Sequence, residues 1–395
     1  MRILCVFGRH NYGDPARGEG VEYTNFLPAF RTLGHEVEHF ESFSRAAPTD
    51  FAALNRALLE RVEAWRPDMV FTVLMMAEIW LETIELIRAC GAMVVNWSTD
   101  DSWKYTEFSR LVAPSFDVFA TTCPDAPAWY ATDGISGCML SQWAASARDL
   151  VAPRSAAECA FDVSFVGSCY GARATRVQRL RDAGFQVECF GHGWPNGPVD
   201  AIRLRQIVRD SRISLNFSEA GGGGGQQIKA RVFEVPGAGG LLLTEHAPHL
   251  GRYFHLGREI ACFQGDADLS NTVRGLLRDA AARDAMAIAG HLRVVREHTY
   301  ERRLAELLAT VAASAPRAAA PLDWDAFRGL CERHKNGPAL RALGTVLRAV
   351  CGLAWGRERG PRAARRILFE ASWRLLGRHT YTSAGFPGRL FYRES

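Results

Sequence analysis

Apolar and polar positions follow two rhythms along this chain. Short, nearly continuous apolar runs that end in small or polar residues alternate with longer stretches of three-to-four-residue apolar period. RILCVFG (Arg2–Gly8) predicts a buried strand, and VEYTNFLPAFRTLG predicts a helix with an apolar face and a glycine stop. HEVEHFES alternates, as an edge strand does, while DMVFTVL, AMVVNW, FDVFATTC and GCMLSQW predict further strands. FAALNRALLERVEAW and AEIWLETIELIRACG fill the gaps as helices. Strands separated by helices of this length predict a parallel sheet covered on both faces.

A second series starts near Phe161. DVSFVGS, QVECFG, RISLNFS, GLLLTEH and REIACF predict strands, RATRVQRLRDAG and AIRLRQIVRDS predict helices, and a long helical stretch runs from about Asp268 to Ser314. The polar, small-residue segment ASARDLVAPRSAAE, with Pro153, reads as an interdomain linker. The expected class is therefore α/β, with two Rossmann-like doubly wound domains at 1–150 and 160–314 facing a cleft. A helical C-terminal extension follows at 320–395. In the extension, PALRALGTVLRAVCGLAWG and PRAARRILFEASWRLLG predict two helices.

Composition changes the picture in three respects. The chain of 395 residues is 48% hydrophobic and 23% charged, which excludes disorder and suits more than one domain. The ten cysteines form no C-x-x-C pair, so buried reduced thiols fit better than a zinc site or a disulfide framework. With a first strand at Arg2 leaving no room for a signal peptide, and no apolar run of about 20 residues, a cytoplasmic protein is expected. Net charge is +4, but Cys331–Ser395 holds 13 Lys+Arg against 4 Asp+Glu, so the tail is basic and the body mildly acidic. That tail suits the inner face of an anionic membrane through a basic amphipathic helix with Trp355 and Trp373, or a helical pair packed on the body. Nucleic acid is not an expected partner, since no aromatic-basic recognition motif occurs.

The densest chemistry lies in SEAGGGGGQQIKARVFEVPGAGGLLLTEH (Ser218–His246). Five glycines alone fit a flexible linker. Five glycines between a strand and a predicted helix, with Lys229 and Arg231 in its first turn, fit a nest of N–H groups around an anion such as a diphosphate. Cations are disfavoured at a helix N-terminus unless an anion sits there. Glu234, three residues after Arg231, shares its side of the helix and suits sugar hydroxyls, as the ribose-binding acid of dinucleotide sites does. The Walker pattern is absent, because no Ser or Thr follows Lys229.

Two further stretches, FDVSFVGSCYGARATRVQRLRDAGFQVECFGHGWPNG and VVNWSTDDSWKY, together with QQIKARVFEVPGAGGLLLTEHAPHLGRYFHLGREIACF and REHTYERRLAELL, carry a likeness over most of Met1 to about Ser314. The chain resembles the CgeB-like, spore-maturation-protein-type glycosyltransferases, which belong with the group-1 glycosyltransferases of GT-B architecture. The resemblance implies a nucleotide-sugar donor held mainly by the second domain. Lys229 and Arg231 would take the diphosphate and Glu234 the ribose, with Gly167, Ser168, Arg173, Asn216 and Gln227 around them. The loop Gly191–Gly197 would frame the base. Many relatives carry a second acid eight residues before the ribose-binding one; here that position is Gln226. The acceptor, whether glycan, protein or small molecule, is not implied.

In the first domain, Asp100 and Asp101 follow a predicted strand, where open sheets bind ligands. One could act as a general base on an acceptor hydroxyl and the other as a helix cap. His10, with Asn11 and Tyr12, lies on the glycine-punctuated loop Gly8–Gly20 and is a further catalytic candidate. The D-x-D pairs Asp266/Asp268 and Asp323/Asp325 read as helix caps, so no metal and no other cofactor is expected. Two alternatives stand beside the transferase. One is another GT-B enzyme, such as a sugar-nucleotide epimerase or a phosphorylase-like transferase with pyridoxal phosphate. The other is a catalytically degenerate nucleotide-sugar-binding or assembly protein.

Overall fold

The computed structural model describes residues 1–44, 48–220, 225–314 and 317–392. They form two compact units: Met1–Ser141 together with Leu307–Ser395, and Gln142–Glu306. The first unit is built on a parallel sheet of β1 (Arg2–Phe7), β2 (Glu36–Glu41), β3 (Met69–Thr72), β4 (Met93–Ser98), β5 (Val118–Thr121) and β6 (Cys138–Leu140), in the order β2-β1-β3-β4-β5-β6. The alternating segment HEVEHFES is indeed an edge strand. Helix Val21–Thr32 covers one face, where Phe26 packs edge-on against Phe71 and Trp97 and Phe30 against Phe71. On the other face, Leu4, Val6, Val70, Val94 and Phe119 meet the apolar sides of helices Phe51–Trp65 and Leu81–Ala89.

The second unit carries β7 (Phe161–Val166), β8 (Val187–Phe190), β9 (Ser211–Asn216), β10 (Leu242–Glu245) and β11 (Ala261–Phe263) in a parallel sheet ordered β11-β10-β9-β7-β8. Both sheets reverse their winding once, between β1 and β3 and between β7 and β9. All eleven strands lie where the apolar runs predict them. The single long helical stretch does not: it divides into Gly265–Arg278, Ala280–Glu297 and Tyr300–Ala312. The first break is chemical, since the Asp279 carboxylate accepts from the Ala282 N–H and starts a new helix there. The fully buried Arg283 side chain then donates to the carbonyls of Arg212, Arg154 and Ser211, tying the linker to the sheet.

The tail belongs to the first unit. It comprises helix Trp324–His334, helix Pro338–Leu376 and a closing turn Phe386–Leu390. Helix Pro338–Leu376 reverses at Gly356, whose φ of 82° is open to glycine alone, and its halves touch where Gly360 meets the backbone of Gly352. Phe327, Leu330, Phe369, Tyr381 and Tyr392 join the core of the sheet's second face. Trp80 stacks on Phe327 and meets His334, Phe51 packs on Tyr392, and Phe108 on Tyr381. The basic tail is therefore an element whose inner side is apolar core.

Candidate functional site

In an open parallel sheet, ligands bind beyond the strand C-termini where the winding reverses. In the second unit that place is bounded by the segments after β7 and β9. The segment after β7 is stitched to the one after β8: Gly167 N–H donates to the Phe190 carbonyl, Cys169 N–H to the His192 carbonyl, and Trp194 Nε1 to the Gly167 carbonyl (2.9 Å). Gly191 sits so close that a Cβ there would lie 2.3 Å from the Gly167 oxygen. GHGWPNG is thus a rigid loop fastened to Gly167, and Ser168 is left exposed beside it.

Arg173 opens helix Arg173–Asp182 and folds back over this edge. Its guanidinium is buried, lies 3.8 Å from the centre of the Tyr170 ring, and donates to the Ser168 carbonyl (2.9 Å) and the Tyr170 hydroxyl (2.7 Å). Its Nε finds no partner among the described residues. Burial lowers its pKa, opposed by Tyr170 and Glu219.

After β9 a helix follows the glycine segment, as expected, but it starts later than the sequence suggests. Gly221–Gly224, which the expected N–H nest requires, lie outside the described residues. On either side of them the flanking residues pair with each other. Glu219 and Gln226 form an antiparallel bridge, Ala220 N–H donates to the Gly225 carbonyl (3.0 Å), and Gln227 N–H to the Ser218 carbonyl (2.9 Å). The helix begins only at Arg231 and spans seven residues, Arg231–Gly237, so Lys229 precedes it and is not in its first turn. The reason is local: Gln226 and Gln227 spend their backbone on this pairing. Ile228, Val232, Phe233 and Val235 are buried, which leaves Lys229, Arg231 and Glu234 half-buried beside one another in sequence order. Arg231 Nη1 donates to Glu234 Oε2 at 2.7 Å.

Two expected contact residues have internal tasks. The Asn216 amide donates to Thr244 Oγ1 (2.9 Å), tying β9 to β10, and Gln227 gives its N–H to the Ser218 carbonyl. Sequence reasoning missed Glu245, the acid that ends β10. Its buried carboxylate accepts from Ser218 N–H (3.0 Å) and Oγ (3.1 Å) and from Arg176 Nη1 (2.7 Å), and so fixes the start of the glycine segment. A lone carboxylate closing the apolar run GLLLTEH was the available signal.

At the matching edge of the first unit, the two adjacent acids separate. Asp101 is buried, and its carboxylate accepts from the hydroxyls of Ser98, Ser109 (2.5 Å) and Tyr130 (2.8 Å). A π-helical turn, Tyr105–Ser109, brings Ser109 back onto it. Asp101 is therefore held among three donors, Ser98 and Ser109 on Oδ1 and Tyr130 on Oδ2, instead of lying open at the strand end. Asp100 occupies the helix N-cap position without a capping side-chain bond, stays partly exposed, and has Lys104 Nζ at 3.8 Å. Beside it lies Glu22, unremarked in the sequence, whose pKa is raised by burial and further by the charge of Asp100. His10 is half-buried on the loop that Arg9–Glu19 closes (2.9 Å), while the Asn11 amide is spent on the Arg17 and Glu19 carbonyls.

Among the described residues, no group of three His, Cys, Asp or Glu side chains is placed to hold a metal ion. The D-x-D acids are otherwise engaged: Asp266 pairs with Arg176 and Arg179, Asp268 accepts from Gln264 N–H, and Asp323 caps Ala326. Among the same residues, no helix is long and apolar enough to cross a membrane.

Residues 173–309 match a family model described as glycosyl transferase-like. No curated protein matches the chain in sequence. In fold, the chain is similar to sucrose-phosphate synthase from Thermosynechococcus elongatus (TM-score 0.58, 11% identity, 80% of this chain and 100% of that one). It is also similar to the Anabaena protein HepE in complex with UDP and glucose (0.56, 12%, 80% and 100%) and to a glycosyltransferase from Rickettsia africae (0.54, 12%, 79% and 99%). The architecture is GT-B: two Rossmann-like parallel-sheet units, here with a helical C-terminal region.

Proposed function

We propose that this protein is a glycosyltransferase, of the CgeB-like type its motifs resemble, that moves a sugar from a nucleotide-diphosphate donor to an acceptor hydroxyl. The observation that carries the reading is the placement of Arg173, Lys229, Arg231 and Glu234 on the two segments bounding the winding reversal of the second sheet. The glycosyl transferase-like match covers these same residues. Lys229 and Arg231 would hold the diphosphate and offset the charge that develops on it as the glycosidic bond breaks. Glu234 gives one oxygen to Arg231 and keeps the other for ribose hydroxyls, which favours a role with both parts of the nucleotide. Gly167, Ser168 and the loop Gly191–Gly197 supply a fixed wall for the base. In the first unit, Asp100 is the acid open to an acceptor, with Glu22 and His10 close to the same sheet edge. No metal enters this mechanism; the cations named supply the charge.

HepE, similar in fold, was captured with UDP and glucose, which makes UDP the first ligand to test. Calorimetry should show UDP binding to the native protein, weakened by about 1–3 kcal/mol in Glu234→Ala, the scale of lost hydrogen bonds to a charged group. Unchanged affinity would remove Glu234 from the ribose. A thermal-shift screen in which no nucleotide sugar raises the melting temperature would remove the donor reading altogether.

A further inference from the structure

The first half of the tail helix Pro338–Leu376 carries an exposed apolar stripe, with Arg341 and Thr345 exposed along one border of it. Ala339, Ala342, Leu343, Val346, Ala349, Val350, Leu353 and Ala354 follow helical spacing along one stripe, and all are exposed. Val346 and Val350 are each 57% exposed and Leu353 is 90% exposed, the most exposed large apolar side chain among the described residues. The helix is not loose: Leu340, Leu347 and Cys351 on its inner side pack against Leu390 and Phe391, and Arg348 lies over the Phe391 ring. A firmly docked helix therefore presents an apolar stripe outward. Where the stripe ends, Trp355 is 53% exposed, and the turn at Gly356 then presents Arg357, Arg359 and Arg362, all exposed, against Glu358 alone.

We infer that this stripe docks the protein on an anionic lipid surface, with the helix lying in the plane of the interface. Apolar side chains along one side, a tryptophan at the end and arginines beside it are what the headgroup boundary of an anionic bilayer accommodates. The charge decides against a second copy of the chain. A second copy of the stripe offers these arginines no complementary charge, because residues 338–355 hold no acid, whereas an anionic headgroup layer does. The inference is independent of the nucleotide site, which lies in the other unit.

The test is flotation of the full-length protein with vesicles of phosphatidylcholine alone or phosphatidylcholine mixed with phosphatidylglycerol. The protein should float with the mixed vesicles only, and sink when salt screens the headgroups. Val350→Asp with Leu353→Asp should abolish flotation. Arg357→Gln with Arg359→Gln and Arg362→Gln should weaken it roughly fivefold per charge, on the order of a hundredfold in all. All five positions are exposed, so melting temperatures should hold; as a check that needs no disruptive change, Trp355→Phe should remove a vesicle-induced blue shift of the emission. Failure of the wild type to float with mixed vesicles, equal flotation with both kinds, or flotation undiminished in the variants would overturn the inference. So would a wild-type dimer in sedimentation that the Val350/Leu353 variant dissolves, which would assign the stripe to self-association.

Discussion

Asp100 and Asp101 are adjacent in the chain, yet their surroundings assign them different work. Replacing Asp101 by Ala strands the hydroxyls of Ser98, Ser109 and Tyr130 in the interior, and should cost on the order of 3 kcal/mol of stability in a denaturant titration. Asp100→Asn should leave that titration nearly unchanged and lower turnover once a donor and acceptor are in hand; a wild-type rate would take Asp100 out of the mechanism. The sequence placed both acids at a strand end but could not divide them. The division depends on Tyr130, 29 positions away, and on a π turn that no simple period announces. The charged trio Lys229, Arg231 and Glu234 was the easiest candidate to pick out because such residues stand out between two apolar runs. Glu245 was not, since a single acid at a strand end looks the same whether it is solvated or buried against Arg176.

At the scale of elements, strands read well because a parallel sheet covered on both faces needs apolar runs such as β1, β3 and β4, and an edge strand such as β2 an alternating one. The late helix start was not legible, because the backbone hydrogen bonds that join Ser218 and Ala220 to Gln227 and Gly225 leave no mark in side-chain pattern. One element makes a measurable prediction. His298, where two helices meet, donates through Nε2 to the Tyr253 carbonyl (2.9 Å) and stands 2.8 Å from Arg303 Nη2. Burial lowers its pKa from 6.5 to about 4, and Arg303 and Arg293 push the same way, while the Tyr253 hydrogen bond and Glu297 oppose. The unfolded chain therefore takes up the proton first. The stabilisation is fully present above about pH 6.5 and is lost as pH falls from there towards 4. Across that window the wild type should lose up to about 3 kcal/mol more than His298→Gln, measured as the difference between their denaturation midpoints. Parallel pH profiles would show that His298 carries no such linkage.

For the whole molecule, the tail was legible as two helices and a positive charge, and its apolar inner side was not. Phe369, Tyr381 and Tyr392 are spaced among arginines, glycines and prolines, so only tertiary packing shows that they finish the core of the first sheet. Burying such side chains contributes roughly 1.5–3 kcal/mol each, against about 5–15 kcal/mol for a typical domain. Deleting residues 331–395 should therefore leave the first unit insoluble or without a cooperative melting transition, while a truncation that melts normally would show the tail to be an appendage. The way the chain passes through its two units has a further consequence during synthesis. The second unit is one uninterrupted segment, Gln142–Glu306, and the first is split around it. On the ribosome the second unit can complete its core while the first still waits for its last aromatic anchors, at about 5–20 residues per second. Met1–Ser141 must persist through that interval with the second face of its sheet partly uncovered. A premature stop in the last tenth of the message would thus damage the part of the protein that was made first.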